Sequence, residues 1–110
     1  PAIVVVNTTA SDWSLRKIYP WQLEICIDCN ELANNGMPTR NEIRTLEELE
    51  DQIASCIEAD EAAVFLARIT CNGTRRLKFR VRDGAATYPL IKGLVERAEQ
   101  PREWGFNMHL

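Results

Sequence analysis

Trp21-Gln22-Leu23-Glu24-Ile25-Cys26-Ile27-Asp28-Cys29 alternates without a break: Trp21, Leu23, Ile25, Ile27 and Cys29 share one side, Gln22, Glu24, Cys26 and Asp28 the other. Successive side chains of a strand point to opposite faces, so this stretch reads as a strand with one face in a core and one in water. A half-wet strand belongs to an antiparallel sheet covered on one side only.

Downstream, Asn34-Asn35-Gly36-Met37-Pro38 is turn chemistry, and Thr39 with Glu42 forms a capping box that opens a helix from about 40 to 59. Ile43, Leu46, Leu49, Ile53, Cys56 and Ile57 recur at three and four residues and make its core-facing stripe. Glu47, Glu48, Glu50, Asp51, Glu58, Asp60 and Glu61 sit on or beside its solvated side. A strand over Ala63 to Cys71, a primed turn at Asn72-Gly73 and a return strand over Arg75 to Arg82 form a hairpin. Asp83-Gly84 ends the return. A second helix is expected from about Pro89 to Gln100, with Pro89 at its first position and Leu90, Leu94, Val95 and Ala98 as its apolar stripe. Trp104, Phe106, Met108 and Leu110 then alternate with polar residues and Gly105 as a closing strand with the large residues inward. Upstream, Ile3-Val4-Val5-Val6 reads as a short extra strand.

The order is one strand followed by β-α-β-β-α-β, the split unit of a ferredoxin-like antiparallel sheet with two helices on one face and the other face open. The fold class is α+β, in one domain over residues 1–110. A chain of 110 residues suits a single modest core, and its 45% apolar and 26% charged residues are ordinary globular values. No apolar run approaches the roughly 18 residues of a bilayer span. Ala2 to Val6 lacks the basic flank and the length of a signal peptide. A cytoplasmic protein is expected, with no membrane partner. The net charge of −3 creates no overall field for nucleic acid, and Cys26, Cys29, Cys56 and Cys71 are expected as reduced thiols.

Several short features together resemble the domain of unknown function 695 family. They are Val6-Asn7 closing the first strand, Gly36-Met37-Pro38 before a helix with Leu46 and Glu50-Asp51, Ala67-Arg68-Ile69-Thr70 with Gly73 and Arg75-Arg76, and Glu103-Trp104. The resemblance implies a ferredoxin-like fold distantly similar to regulators that inhibit ribonuclease E. It implies no activity.

Catalytic readings are thin. Cys26 and Cys29 have CxxC spacing, but on a strand they project to opposite faces, away from the helix N-terminus that activates such thiols. His109 is the only histidine and has no placed partner for a triad. Nothing calls for a cofactor or a metal. One enzymatic alternative rests on Pro1, which resembles the N-terminal proline that serves the tautomerase superfamily as general base. The more unusual feature is the hairpin return, where Arg76, Lys78, Arg80 and Arg82 alternate on one face, with Arg68 of the preceding strand beside them. Glu24 and Asp28 of a neighbouring strand can neutralise part of that row. With Val64 and Leu66, these residues are expected to make a mixed apolar and cationic surface on the open side of the sheet. The expected function is therefore a non-catalytic protein-interaction or regulatory domain acting through that face, its partner another protein or a second copy of the chain.

Overall fold

The computed structural model describes residues 2–8 and 15–110. Its elements are β1 (Ala2–Val6), α1 (Leu15–Ile18), β2 (Trp21–Asp28), α2 (Arg40–Ile57), β3 (Ala63–Cys71), β4 (Thr74–Val81), α3 (Gly84–Val95) and β5 (Trp104–His109), with a 3₁₀ turn at Ala59–Glu61. The fold is α+β, with a five-stranded sheet in the order β1-β3-β4-β2-β5, antiparallel at every pairing.

The alternation of β2 sets the centre. Leu23, Ile25 and Ile27 are buried and face Phe79, Leu77 and Arg75 of β4 in register. Leu46, Leu49, Ile53 and Ile57 of α2 and Ile91 and Leu94 of α3 close over this side of the sheet. Each such side chain removed from water contributes about 1.5–3 kcal/mol. The hairpin between β3 and β4 turns as expected on two left-handed residues, Asn72 (φ 51°) and Gly73 (φ 76°). None of the described helices is long and apolar enough to cross a membrane.

Several expectations change. In β3, Phe65 lies opposite Phe79 but Ala67 opposite Lys78, so Leu66 has no counterpart on β4. This bulge reverses the parity of the strand: Arg68 comes opposite Leu77 and Thr70 opposite Arg75, on the helix-covered side. Arg68 is therefore not on the open face. In α2, the buried positions are Glu42, Leu46, Leu49, Glu50, Ile53 and Ile57; Ile43 is exposed, and Glu50 has left the solvated side. Glu42 completes only half of the capping box, its N–H donating to Thr39 Oγ1 at 3.3 Å, while its carboxylate turns inward.

The second helix begins five residues early because Asp83 caps it, its Oδ1 accepting from the Ala86 N–H at 3.2 Å. Pro89 then lies inside α3, where it lacks the N–H that would bond the carbonyl four residues back. Thr87, Ile91 and Leu94 are buried and Leu90 is exposed. Gly84 is required at the first turn: a Cβ there would come within 2.4 Å of the Trp21 ring. In the closing strand Trp104 is buried, and Phe106 and Met108 pack against the core, but Leu110 lies past the strand end and is exposed.

Candidate docking face and the charged cluster behind it

The open side of the sheet carries three rows. Register places Glu24 opposite Lys78 and Cys26 opposite Arg76, and Val64 opposite Arg80. Lys78 Nζ is 3.7 Å from Glu24 Oε2, with both side chains partly exposed, a pair of little energetic consequence. Arg80 is structural: Nε donates to the Tyr19 carbonyl at 2.8 Å and Nη2 to the Pro20 carbonyl at 3.2 Å, which ties down the chain entering β2. Arg82 lies beyond the end of β4 and donates to the Asp60 carbonyl at 3.0 Å. Arg76 is exposed. The expected row thus exists, but two of its members are occupied by main-chain carbonyls.

Beside it runs a surface that the periodicity did not reveal. A continuous β-branched run ordinarily marks a strand buried on both sides, yet β1 is exposed throughout, with Ile3 at 54%, Val4 at 58%, Val5 at 41% and Val6 at 57%. It occupies the sheet edge, paired only to β3 among the described residues. Val4 and Val6 come opposite Ile69 and Ala67, extending an apolar strip across the open face, while Ile3 and Val5 come opposite Thr70 and Arg68 on the helix side. No charged residue interrupts β1.

Behind this edge the bulge assembles a charged cluster. Arg68 grips Glu50 of α2 with both Nε (2.6 Å) and Nη2 (2.5 Å), and its guanidinium lies over the Phe65 ring, 5.7 Å from the centroid. The Glu50 hydrogen bonds push the Arg68 pKa above its ordinary value. Arg75 stands behind them, its Nε 3.8 Å from Glu50 Oε1, and burial pushes its guanidinium below the ordinary value. A second pair holds the opening of α2: Glu42 Oε2 accepts from Arg102 Nε at 2.7 Å and from the Asn30 N–H at 2.8 Å, and Oε1 from Arg102 Nη2 at 2.5 Å. Hydrogen bonding from Arg102 holds the Glu42 carboxyl below the usual carboxylate range.

Cys26 lies on the open face opposite Arg76 and Gly105, whereas Cys29 follows the strand and packs against the core. Burial is the first cause that pushes both thiols up, which disfavours thiolate chemistry. His109 is exposed at the end of β5, opposite Gln22. Pro1 lies outside the described residues, and so does the general-base reading that depends on it. Among the described residues no three His, Cys, Asp or Glu side chains gather as a metal set.

A family model, described as a family of unknown function (DUF695), matches residues 1–102. No curated protein and no solved structure matches the chain.

Proposed function

Because the chain belongs to this family of unknown function, a membership that brings no activity with it, we propose from its own surface that it is a non-catalytic protein-interaction domain, docking through the β1 edge and the adjoining open face. The carrying observation is the exposure of β1 on both sides and along its outer edge, with no charge in it. Edge strands of soluble proteins are normally blunted by lysine, proline or a covering loop; none of these protects the outer side of β1 among the described residues. In this reading β2, α2, β3, β4, α3 and β5 form a split ferredoxin-like unit, supported by the central position of β2 and β4, and β1 is the strand added for docking.

The partner that fits is a second copy. An antiparallel pairing of β1 with itself about a two-fold axis sets Val4 against its own copy, Ile3 against Val5 and Ala2 against Val6, with like faces continuing across the join. Five residues bury less than a standard interface, so the association is weak and concentration-dependent. Light scattering is expected to show a monomer–dimer equilibrium that Val4→Lys shifts to monomer with an unchanged circular dichroism spectrum. A chain that stays monomeric at millimolar concentration, or a dimer that survives Val4→Lys but dissociates on Arg76→Glu with Lys78→Glu, overturns the edge reading.

A further inference from the structure

The geometry points to a binding site for a small monocarboxylate with a compact apolar tail, between the β1 edge of the sheet and the start of α2. A cavity of about 140 Å³ opens there, walled by Ile3 and Val5 on the sheet side and by Met37 and Ile43 on the helix side, with Arg68, Thr70 and Arg75 as its polar residues. The register explains the arrangement: Ile3 lies opposite Thr70, and Thr70 opposite Arg75, so the three form one row across the helix-facing side of β1, β3 and β4.

The charge balance of that row is uneven. Glu50 is engaged by both nitrogens that Arg68 directs at it, leaving Arg75 with a contact at 3.8 Å, too long for a hydrogen bond. The Arg75 side chain is 6% exposed, and its Nε is a fully buried donor with no hydrogen-bond partner among the described residues. Two guanidiniums therefore share the one carboxylate within ion-pair distance, while Glu47 and Asp51, whose charges also act on them, are exposed on α2. A desolvated charged donor with nothing to donate to is costly, and an anion in the hollow relieves that cost once a small shift of the guanidinium brings the buried Nε to it. A single negative charge matches the one carboxylate that the two guanidiniums lack at contact distance. The four apolar walls favour a hydrocarbon tail over a heavily hydrated phosphate or sulfate, and a hollow of roughly this size accommodates a benzene ring. Ile43, at the lip, is 38% exposed and leaves an entry route.

Benzoate is the probe, with benzyl alcohol as its uncharged counterpart, titrated into the whole chain and followed by ¹H–¹⁵N correlation spectra. Saturable benzoate binding is expected to move the Arg75 Nε–Hε resonance and the amides of Ile3, Thr70 and Ile43, with benzyl alcohol weaker by about tenfold or more. Arg75→Met is expected to abolish the preference for the anion. Should that variant fail to fold, Ile43→Trp decides: it fills the hollow from the lip without touching the charges, and is expected to remove binding while leaving the melting temperature undiminished. Equal affinity for acid and alcohol, shifts confined to other parts of the surface, or full affinity in Ile43→Trp overturns the assignment. Val4 projects to the opposite side of β1 from Ile3 and Val5, so binding is expected to persist in the Val4→Lys monomer, and failure of the dimer and failure of this site are separately visible.

Discussion

Glu42 and Glu50 look alike in the sequence of α2, two acids among many, yet both are buried and each is held by an arginine far away in the chain. Glu42 is the more completely enclosed, its side chain 0% exposed against 17% for Arg102. Removing one partner of such a pair leaves the other desolvated and uncompensated, at a cost of roughly 3–5 kcal/mol. Arg102→Met is expected to lower stability in urea by about that much. The pH dependence has a definite sign. The folded Glu42 pKa lies below its ordinary value of 4.5, so its contribution is complete above the unfolded value and is lost as the pH falls through the folded one. In Arg102→Met the buried carboxylate has lost its cation and its folded pKa rises, so the sign of the Glu42 contribution reverses and acidification towards its unfolded pKa removes part of the deficit. Urea midpoints from pH 7 to pH 3 check this. A constant deficit across that range would mean that Arg102 acts by packing alone.

The consequential irregularity among the elements is the bulge at Leu66. Val64-Phe65-Leu66-Ala67 is apolar at every position, so its pattern gives no sign of where the strand changes parity, and strict alternation carries Arg68 to the wrong face. Only the distances to Glu50 and the partner positions on β4 locate the extra residue. Deleting Leu66 removes the one residue of β3 without a counterpart on β4 and restores regular alternation. Phe65 stays opposite Phe79 and Ala67 opposite Lys78, so Arg68 and Thr70 keep their places opposite Leu77 and Arg75 and the Glu50 pair is retained. The deletion is therefore expected to retain cooperative thermal unfolding, whereas an alanine inserted between Ala67 and Arg68 sends Arg68 to the open face, leaves Glu50 buried without it and is expected to abolish that cooperativity. The start of α3 was more legible. Asp83 followed by Gly84-Ala85-Ala86 is itself an N-cap signal, outweighed at the level of pattern by the preference of Pro89 for a first turn. The cap prevails because Gly84 can lie flat against Trp21 where no side chain would fit.

For the whole molecule, the strand order grades the sheet from its centre to its edges. β2 and β4 are flanked on both sides, while β1 has one neighbour and no buried residue. Amide exchange follows such gradients, so the slowest amides are expected in β2 and β4 and the fastest strand amides in β1. If β1 docks onto its own copy, its protection must rise with protein concentration while that of β2 does not. Exchange at β1 that is independent of concentration up to the millimolar range counts against self-association. The sequence by itself determined the α+β class, the starts of β2 and α2, the β3–β4 hairpin, and the apolar positions of β2 and β4, because these follow from local rules: alternation at period two, a stripe at period 3.6, and two residues suited to positive φ. The tertiary structure alone decided which acids are buried, which face Arg68 takes, and that the most uniformly apolar strand is the least buried one. Those depend on partners distant in the chain. A carboxylate on a helix reads the same whether water or an arginine meets it, and a run of β-branched residues carries no mark of whether it lies at the middle of a sheet or at its edge.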